Sequence, residues 1–553
     1  MHNLQKLQLA SIARWSLAEL GGEKAKAASQ AFLEIRKLEV RLPGGAWLFR
    51  GLDLEVCSGE VVAVVGGSGA GKTTLIRALF EPEQLAREGW VVKSEQLTAN
   101  VPLGLVPQRG APFDHLDVAG NIKLALRHAD PRQPDDTPEV EKWLTRVDLP
   151  GEWAGDKRPV AWLSGGQAQR LAVARTLAGG RKLIFLDEPS VGLDPYRVQL
   201  LAKQLRILSD GGTAIVLITH DVALATAVSN RILFLDGDKG LRDLAGGEWP
   251  GPLAGLAEAE AVRLKNNLQK KFIAALTERE SEADAELPVS RSRVIQVIGG
   301  ILEPLGVATV AVEQTAAAIG NAQDYLRIFW KTLRLAIVGP LLFFAVASVL
   351  LGFTVLFAII HVTPEGLAPV TVVREIGGSY VTALSPALSA VLFVAASGNA
   401  VNAWLGSMSL TRQIAALEAL GIRRERYLWA PIWTGLTVSY LAIAVLFAFG
   451  LLMGGVLLCA FEHIPEGWTL LSTDLLDPRP SQVRFVIRAL WLVFLYGVGI
   501  ASDVVSKGSR EKASSEAVTR GMTSSVVACT LWVVALELVS ALWLYSATGA
   551  GAH

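Results

Sequence analysis

The stretch VVAVVGGSGAGKTT, residues 61–74, decides the fold of the first half of this chain. Its first five residues are apolar and mostly β-branched, which predicts a buried strand over Val61–Val65. The next eight residues match the pattern G-x-x-x-x-G-K-[S/T] at Gly66–Thr73. Glycines there let backbone N–H groups curl around a phosphate, and the helix that begins near Thr73 points its positive end at the same anion. The stretch therefore predicts an α/β domain that binds a nucleoside triphosphate.

The phosphate-binding loop supplies most of the candidate nucleotide ligands. The Lys72 ammonium would reach the β- and γ-phosphates, and the Thr73 hydroxyl would ligate Mg²⁺. ATP and Mg²⁺ are therefore the predicted cofactors. The candidate ligands in this loop and the first helical turn are Gly66, Gly67, Ser68, Gly69, Ala70, Gly71, Lys72, Thr73 and Thr74.

A second apolar run, LIFLDE at residues 183–188, ends in two carboxylates. Asp187 would hold Mg²⁺, directly or through water, and Glu188 is placed to polarise the attacking water. Two acidic residues at a strand end can also form an ordinary turn, but the phosphate loop upstream favours catalysis. A similar apolar run, Ala214–Thr219, precedes His220. Because helical patterns separate these runs, we expect a parallel sheet covered on both faces.

The pentapeptide LSGGQ at Leu163–Gln167 resembles the signature of the ABC ATPase family, and the resemblance covers roughly residues 33–240. In that family the segment forms a helix N-terminus that caps the γ-phosphate bound by the opposing subunit. The residues to which this role carries over are Ser164, Gly165, Gly166 and Gln167.

The same resemblance assigns roles to three more residues. Gln108 would sense Mg²⁺ and contact the permease, Asp194 would lie at the dimer interface, and His220 would contact the γ-phosphate. The family usually stacks an aromatic side chain on adenine at a position where this chain has Leu42. Trp47 could take over that stacking, or aliphatic contacts could hold the base.

The chain contains one phosphate loop and one signature. A composite site needs the loop of one subunit and the signature of another. We therefore expect a homodimer with two nucleotide sites at a twofold interface, so that the first predicted partner is a second copy of the chain.

The composition predicts a membrane domain in the second half. Hydrophobic residues make up 51% of the 553 residues, and the formal net charge of zero gives no electrostatic reason to expect a nucleic-acid partner. Each of five apolar stretches exceeds the roughly 20 residues that a helix needs to cross the hydrocarbon core. These predicted spans are residues 333–361, 376–403, 428–461, 483–505 and 521–547.

The loop charges predict an orientation. Basic residues cluster between spans two and three and between spans four and five, whereas the segment between spans three and four is mainly acidic. The positive-inside rule makes the two basic loops cytosolic. With a cytosolic ATPase and five spans, the C-terminus would be periplasmic. The basic residues are Arg412, Arg423, Arg424, Arg426, Lys507, Arg510, Lys512 and Arg520.

The stretch LGSMSLTRQIAALEALG, residues 405–421, followed by Arg426-Tyr427-Leu428, resembles the Mla/Yrb-type (MlaE-type) permeases of phospholipid-trafficking systems associated with MCE proteins. The resemblance covers about residues 325–547. It implies a multi-pass protein of the bacterial inner membrane, a lipid substrate and a periplasmic MCE-type or other lipid-shuttling partner. Export of drugs or other amphipathic solutes is the alternative. The chain departs from the family pattern at Gly378, Trp404, Arg412 and Ala415.

These observations divide the chain into four parts. An amphipathic extension (1–32) precedes the ATPase domain (33–250), and a connector (251–324) leads to the permease domain (325–553). Within the permease, the cytosolic segment 404–427 is the predicted coupling helix, which would sit in a groove of the ATPase. A basic loop explained by topology alone is the competing interpretation of that segment.

Overall fold

The computed structural model describes residues 31–549, except 68, 109, 245–248, 253–257, 283–303, 305, 318–321, 363–367, 477–479 and 513. The predicted amphipathic extension therefore lies almost wholly outside the described residues. The chain forms two compact units. The first comprises Met1–Ser290 and Ala415–Gly421, and the second comprises Arg291–Ile414 and Ile422–His553.

The described strands of the first unit form two sheets. They are β1 (Ala31–Arg41), β2 (Trp47–Cys57), β3 (Val61–Val65), β4 (Val91–Lys93), β5 (Gln96–Ala99), β6 (Leu103–Val106), β7 (Leu183–Asp187), β8 (Ala214–Thr219), β9 (Arg231–Leu235) and β10 (Leu241–Asp243). In the smaller sheet, β1 pairs antiparallel with β2, β4 and β5. The larger sheet has the order β10-β9-β3-β8-β7-β6, with β10 antiparallel at its edge and the other strands parallel.

Strands β3, β7 and β8 are buried at every residue. This burial explains their continuous apolar sequences, because a central parallel strand is covered by helices on both faces. The predicted α/β domain with a parallel sheet is confirmed. The helices of this unit are Lys72–Phe80, Pro82–Arg87, Val118–Arg127, Thr137–Arg146, Gly165–Ala178, Pro195–Asp210, Val222–Val228 and Glu258–Glu282.

The helix Glu258–Glu282, here called the connector helix, occupies the first part of the predicted connector and belongs to the first unit. Its buried side chains, Leu268, Phe272 and Ala275, recur at helical spacing. The Phe272 ring meets the Phe234 ring of β9 edge to face, with 6.0 Å between the ring centroids. This part of the predicted connector is therefore a packed helix of the ATPase unit.

The segment Ala415–Gly421 belongs to the first unit although it follows the second predicted span in sequence. Ala415 and Ala419 are members of the hydrophobic core that lies on the two sheets. A methyl group added at Gly179 would lie 2.8 Å from Leu420 Cδ2. Apolar burial thus holds this segment in the first unit.

Among the described residues of the second unit, five helices are long and apolar enough to cross a membrane, which confirms the predicted number. We call them spans 1 to 5: Ala322–Val362, Ser379–Leu410, Glu425–Phe461, Val483–Ser509 and Ser515–Trp543. Spans 4 and 5 lie in the helices Pro480–Ser509 and Ser515–Gly549. The short helices Pro369–Ile376 and Gly467–Leu476 precede spans 2 and 4.

Near its start, span 1 contains Tyr325–Arg334, whose apolar residues at helical spacing and three cations predict an interfacial helix leading into the bilayer. In the structure this segment is part of one helical stretch from Ala322 to Val362, with a π-helical turn at Arg334–Val338. Spans 1 and 3 pack closely because glycines replace side chains at their contacts: a Cβ at Gly450 would overlap Ser348, and one at Gly454 would overlap the backbone of Val349.

Candidate functional site

The carboxyl ends of three neighbouring parallel strands bring the predicted ATPase residues to one edge of the larger sheet. Val65, the last residue of β3, lies beside Thr219, the last residue of β8. Asp187, the last residue of β7, lies beside Ile218 of β8. The phosphate loop after β3, the two carboxylates at the end of β7 and the histidine after β8 therefore meet at one place, as expected for a parallel sheet.

The Glu188 carboxylate is fixed from two sides. Its Oε2 lies 2.7 Å from His220 Nδ1 and accepts a 3.3 Å hydrogen bond from the His220 backbone N–H. Its Oε1 lies 3.7 Å from Lys72 Nζ. Glu188 adopts a φ of +47°, in the left-handed region that non-glycine residues rarely occupy. Such strain concentrates at functional sites, and here it accompanies the residue predicted to polarise water.

The phosphate loop is closed by the side chain of its own lysine. Lys72 Nζ donates hydrogen bonds of 2.7 Å to Gly66 O and 3.1 Å to Gly67 O. Gly71 has a φ of +94°, and a Cβ there would lie 2.7 Å from the Phe49 ring of β2. Only glycine meets both requirements. Gly69 and Ala70 complete the described loop, and Thr73 and Thr74 lie in the first turn of the helix Lys72–Phe80.

The predicted Mg²⁺ ligands are of the right chemical kind. Thr73, Gln108 and Asp187 offer a hydroxyl, an amide carbonyl and a carboxylate, and Mg²⁺ prefers such oxygen donors. Asp187 is only 5% exposed. Within the described part of the chain no group of three His, Cys, Asp or Glu side chains could hold a metal ion. These residues therefore fit a Mg²⁺ ion that takes its remaining ligands from phosphates and water.

The predicted signature residues begin the helix Gly165–Ala178, here called the signature helix. Ser164 and Gln167 form a reciprocal capping box, in which the Ser164 N–H donates to Gln167 Oε1 over 2.9 Å. Ser164 and Gly165 are exposed, and a Cβ at Gly165 would touch nothing. The helix N-terminus is thus open to an anion from outside this chain.

Asp194 is the residue predicted to lie at the dimer interface. Its carboxylate caps the helix Pro195–Asp210 by accepting a 3.0 Å hydrogen bond from the Arg197 N–H, and it also lies 3.1 Å from Arg197 Nε. Two apolar side chains on either side, Val191 and Tyr196, are 42% and 75% exposed. Two exposed apolar side chains so close together are typical of a surface that contacts another protein.

Sequence reasoning missed the buried Arg175 of the signature helix. Its guanidinium donates to Ala111 O over 2.8 Å, to Asn121 Oδ1 over 3.3 Å and to Gly110 O over 3.5 Å. It also lies over the Phe113 ring at 4.0 Å. Burial lowers the pKa of Arg175 to about 9, so the side chain remains protonated at neutral pH. The sequence feature that indicates such a contact is an arginine within the otherwise largely apolar stretch 171–178.

Arg175 connects two predicted functional segments. Gln108 is exposed just after β6, and Gly110 follows two residues later. Gly110 has a φ of +73°, and a Cβ there would lie 2.5 Å from Ala168 O of the signature helix. The loop after Gln108 therefore rests directly on the signature helix, with Arg175 holding its carbonyls.

Replacing Arg175 by Met should lower the free energy of unfolding of the ATPase unit by about 2–4 kcal/mol, because buried carbonyls lose a charged donor. The thermal midpoint of the detergent-solubilised full chain measures the change. Arg132→Met, at an exposed arginine, is the matched control. Equal thermal midpoints for the two variants would contradict the role of Arg175 in holding the loop after Gln108.

Comparison with known proteins gives two adjacent family matches. The ABC transporter family matches residues 49–191, and the family described as permease MlaE matches residues 329–543. The glutamate/aspartate import ATP-binding protein GltL of Escherichia coli is 35% identical over 197 residues, which are 34% of this chain and 81% of GltL. The chain belongs to the ABC transporter family. Its first half is an ABC-type ATPase and its second half an MlaE-type permease.

Other proteins similar to this ABC transporter match less than half of the chain. The Fe(3+) ions import ATP-binding protein FbpC of Streptomyces avermitilis is 36% identical over 209 residues, and the match spans 37% of this chain and 59% of FbpC. Among solved structures, cbiO1 from Clostridium perfringens is 23% identical with a TM-score of 0.34, over 45% of this chain and 100% of that one.

The permease half contains charged side chains inside its spans that sequence reasoning also missed. Asp503 Oδ1 lies 2.6 Å from Lys507 Nζ within span 4, and both side chains are 7% exposed. Arg488 of span 4 pairs with Glu537 of span 5. The sequence contains the indication, because three of these charged residues fall inside the predicted apolar spans 483–505 and 521–547.

Proposed function

We propose that this ABC transporter hydrolyses ATP to move a phospholipid or related lipid across or out of the bacterial inner membrane. The observation that carries the proposal is the succession of an ABC ATPase and an MlaE-type permease in one chain. The central parts of spans 1 to 3 agree with an apolar cargo, because residues 335–360, 379–410 and 430–461 contain no Asp, Glu, Lys or Arg. An ion or proton path through these segments would need charged or titratable groups.

Several buried hydroxyl groups in those spans are neutral and hydrogen-bonded within the protein. The Tyr440 hydroxyl donates to Pro386 O over 3.0 Å and lies 3.2 Å from Ser389 Oγ. The Ser397 hydroxyl donates to Ala336 O over 2.6 Å. Hydrogen bonds of this kind tie helices together in an apolar medium and leave no charge for a hydrophilic solute.

The proposed catalytic roles follow from the distances around Glu188. Lys72 and the loop amides would bind the β- and γ-phosphates, while Thr73, Gln108 and Asp187 would hold Mg²⁺, which neutralises phosphate charge when bound. Glu188 would accept a proton from the attacking water. His220, 2.7 Å from Glu188 Oε2, would keep that carboxylate oriented towards the γ-phosphate.

The signature residues would act on the nucleotide of a second copy. Ser164, Gly165, Gly166 and Gln167 present an exposed helix N-terminus, and Asp194 lies in an exposed loop. A homodimer would place this N-terminus over the partner's γ-phosphate, giving two composite sites from one kind of chain. The ATPase units would face the cytosol and the C-terminus the periplasm, where an MCE-type or other lipid-shuttling protein would take part.

The start of β2 is the proposed adenine site. Leu48 and Phe49 lie against Gly71 of the phosphate loop, so the neighbouring Trp47 is close to the nucleotide end of that loop. The guanidiniums of Arg41 and Arg50 lie 5.6 Å and 5.2 Å from the Trp47 ring centroid. Two cations hold the indole in place, and it could then stack on the base instead of the usual aromatic residue.

Coupling between hydrolysis and transport is proposed for the segment 404–427. Its central part, Ala415–Gly421, belongs to the same compact unit as the ATPase sheets, which supports the coupling interpretation over a loop explained by topology alone. Leu417 is fully buried and Leu420 is 3% exposed. A rearrangement of the ATPase unit would therefore carry this segment, and with it the ends of spans 2 and 3.

Lipids that co-purify with the full chain test the substrate. Mass spectrometry of detergent-solubilised wild type and Glu188→Gln should find a defined phospholipid enriched over bulk membrane, in different amounts in the two proteins. The variant would hold ATP and so trap another state of the cycle. Bulk membrane composition in both proteins would remove the lipid proposal and favour export of an amphipathic drug-like solute.

A further inference from the structure

Spans 4 and 5 are joined by a charge pair inside the apolar part of the membrane domain. Arg488 Nη2 donates to Glu537 Oε2, and Arg488 Nε and Nη2 donate to Ser540 Oγ over 3.0 Å and 2.9 Å. The Arg488 and Glu537 side chains are 11% and 25% exposed. Ionisable groups within a bilayer are costly and commonly mark a site for a polar or charged ligand.

The Glu537 carboxylate keeps room for a further donor. Its Oε1 is buried and makes no hydrogen bond of normal geometry among the described residues. The Tyr496 hydroxyl, which donates to Val533 O over 3.4 Å, also lies beside this carboxylate. Because an ionised carboxylate has about four acceptor positions, the arrangement can accept one more donor, such as an ammonium group.

The pair lies in the same end half of the two helices. Arg488 lies eight residues after Pro480, where its helix begins, and Glu537 lies twelve residues before Gly549, where its helix ends. At 1.5 Å per residue these positions are about 12 Å and 18 Å from the helix ends. Long arginine side chains extend towards the interface. In the proposed orientation this end is the periplasmic one.

An apolar groove runs beside the pair on the outer surface of span 4. Its lining residues recur at helical spacing and border an open depression of about 320 Å³. Between 47% and 65% of each side chain is exposed. Trp491 stands one turn after Arg488, so an acyl chain in this groove would have its headgroup close to the pair. The groove residues are Ile487, Leu490, Trp491 and Phe494.

We propose that Arg488, Glu537 and Ser540 form a headgroup site for a zwitterionic phospholipid that carries both a phosphate and an ammonium group. The phosphate would pair with Arg488 and the ammonium with Glu537, so that two new ion pairs replace the internal one and neither charge is left unpaired. An anionic phospholipid would place only negative charge beside Glu537. The inference rests on the proposed lipid transport.

The test uses the full chain in detergent with an equimolar mixture of phosphatidylethanolamine and phosphatidylglycerol, and counts bound lipids by native mass spectrometry. Wild type should retain phosphatidylethanolamine in preference. Glu537→Gln keeps the shape of the side chain but removes the charge, and it should reduce the ratio of the two bound lipids about tenfold, the effect of one charge-assisted contact. Trp491→Ala should weaken binding of both lipids and leave their ratio unchanged.

Asp503→Asn is the matched control, because it neutralises a buried carboxylate of span 4 that pairs with Lys507 and not with Arg488. It should leave the lipid ratio unchanged even if it lowers the thermal midpoint. An unchanged ratio in Glu537→Gln, with lipids still enriched, would overturn the headgroup site and leave lipid transport standing. Failure of wild type to enrich either lipid while ATPase activity persists would instead count against the proposed function.

Discussion

Replacing Glu188 by Gln should reduce ATP hydrolysis by at least about 100-fold, the usual contribution of a positioned general base. The carboxylate is held 2.7 Å from His220 Nδ1 and 3.7 Å from Lys72 Nζ, at the end of a buried strand. An amide keeps the shape of this side chain but replaces one acceptor oxygen by an NH2 group, and it cannot accept the proton of the attacking water. Nucleotide affinity should stay close to that of wild type.

Phosphate release by the purified full chain and binding of a labelled ATP analogue measure the two effects separately. Glu139→Gln, at a partly buried carboxylate that pairs with the exposed Lys142, is the control and should hydrolyse ATP normally. Hydrolysis at more than a tenth of the wild-type rate in Glu188→Gln would assign the proton acceptor to another group. Loss of ATP-analogue binding would show that Glu188 contributes to binding the nucleotide before the reaction.

Replacing Leu420 by Asp should abolish transport while hydrolysis continues. Leu420 is 3% exposed and reaches Gly179 at the end of the signature helix, so an acidic side chain there would be taken out of water in place of an apolar contact. Burying a carboxylate costs several kcal/mol, and the segment Ala415–Gly421 should leave its place instead. We expect transport of a fluorescent phospholipid in proteoliposomes to fall at least about tenfold.

Two further variants identify the cause of that loss. Gly179→Leu would occupy the space of the Leu420 side chain from the other side and should reproduce the uncoupling. Ile207→Asp makes the same chemical change at a residue that is 65% exposed, and transport should be normal. Normal transport in Leu420→Asp would remove the coupling role from this segment.

Much of the ATPase unit could be predicted because its information is local. The phosphate loop follows its strand directly in sequence, and three continuous apolar runs became the fully buried strands β3, β7 and β8. Parallel pairing then places the ends of those strands side by side, so Lys72, Glu188 and His220 meet without further information. The number of spans was equally accessible, because length and hydropathy decide it.

The features that escaped prediction join residues far apart in sequence. Arg175 contacts Gly110 and Ala111 across more than 60 positions, and Arg488 meets Glu537 across 49. Helical periodicity says which side of a helix is apolar, but it does not say which charge faces which partner across two helices. A charged residue in an apolar run indicates that such a contact exists, but it does not identify the partner residue.

Because the segment Ala415–Gly421 is synthesised late, it also affects when the ATPase unit can finish folding. Ala415 and Ala419 belong to the hydrophobic core on the ATPase sheets, yet they leave the ribosome only after the first two spans. At ordinary translation speeds the residues from Ser290 to Gly421 take roughly 7–26 s to make. During that delay the nascent ATPase exposes the apolar surface that the segment later covers. Maturation of the cytosolic half is therefore tied to membrane insertion, and a chain that fails to insert is open to chaperones and proteases.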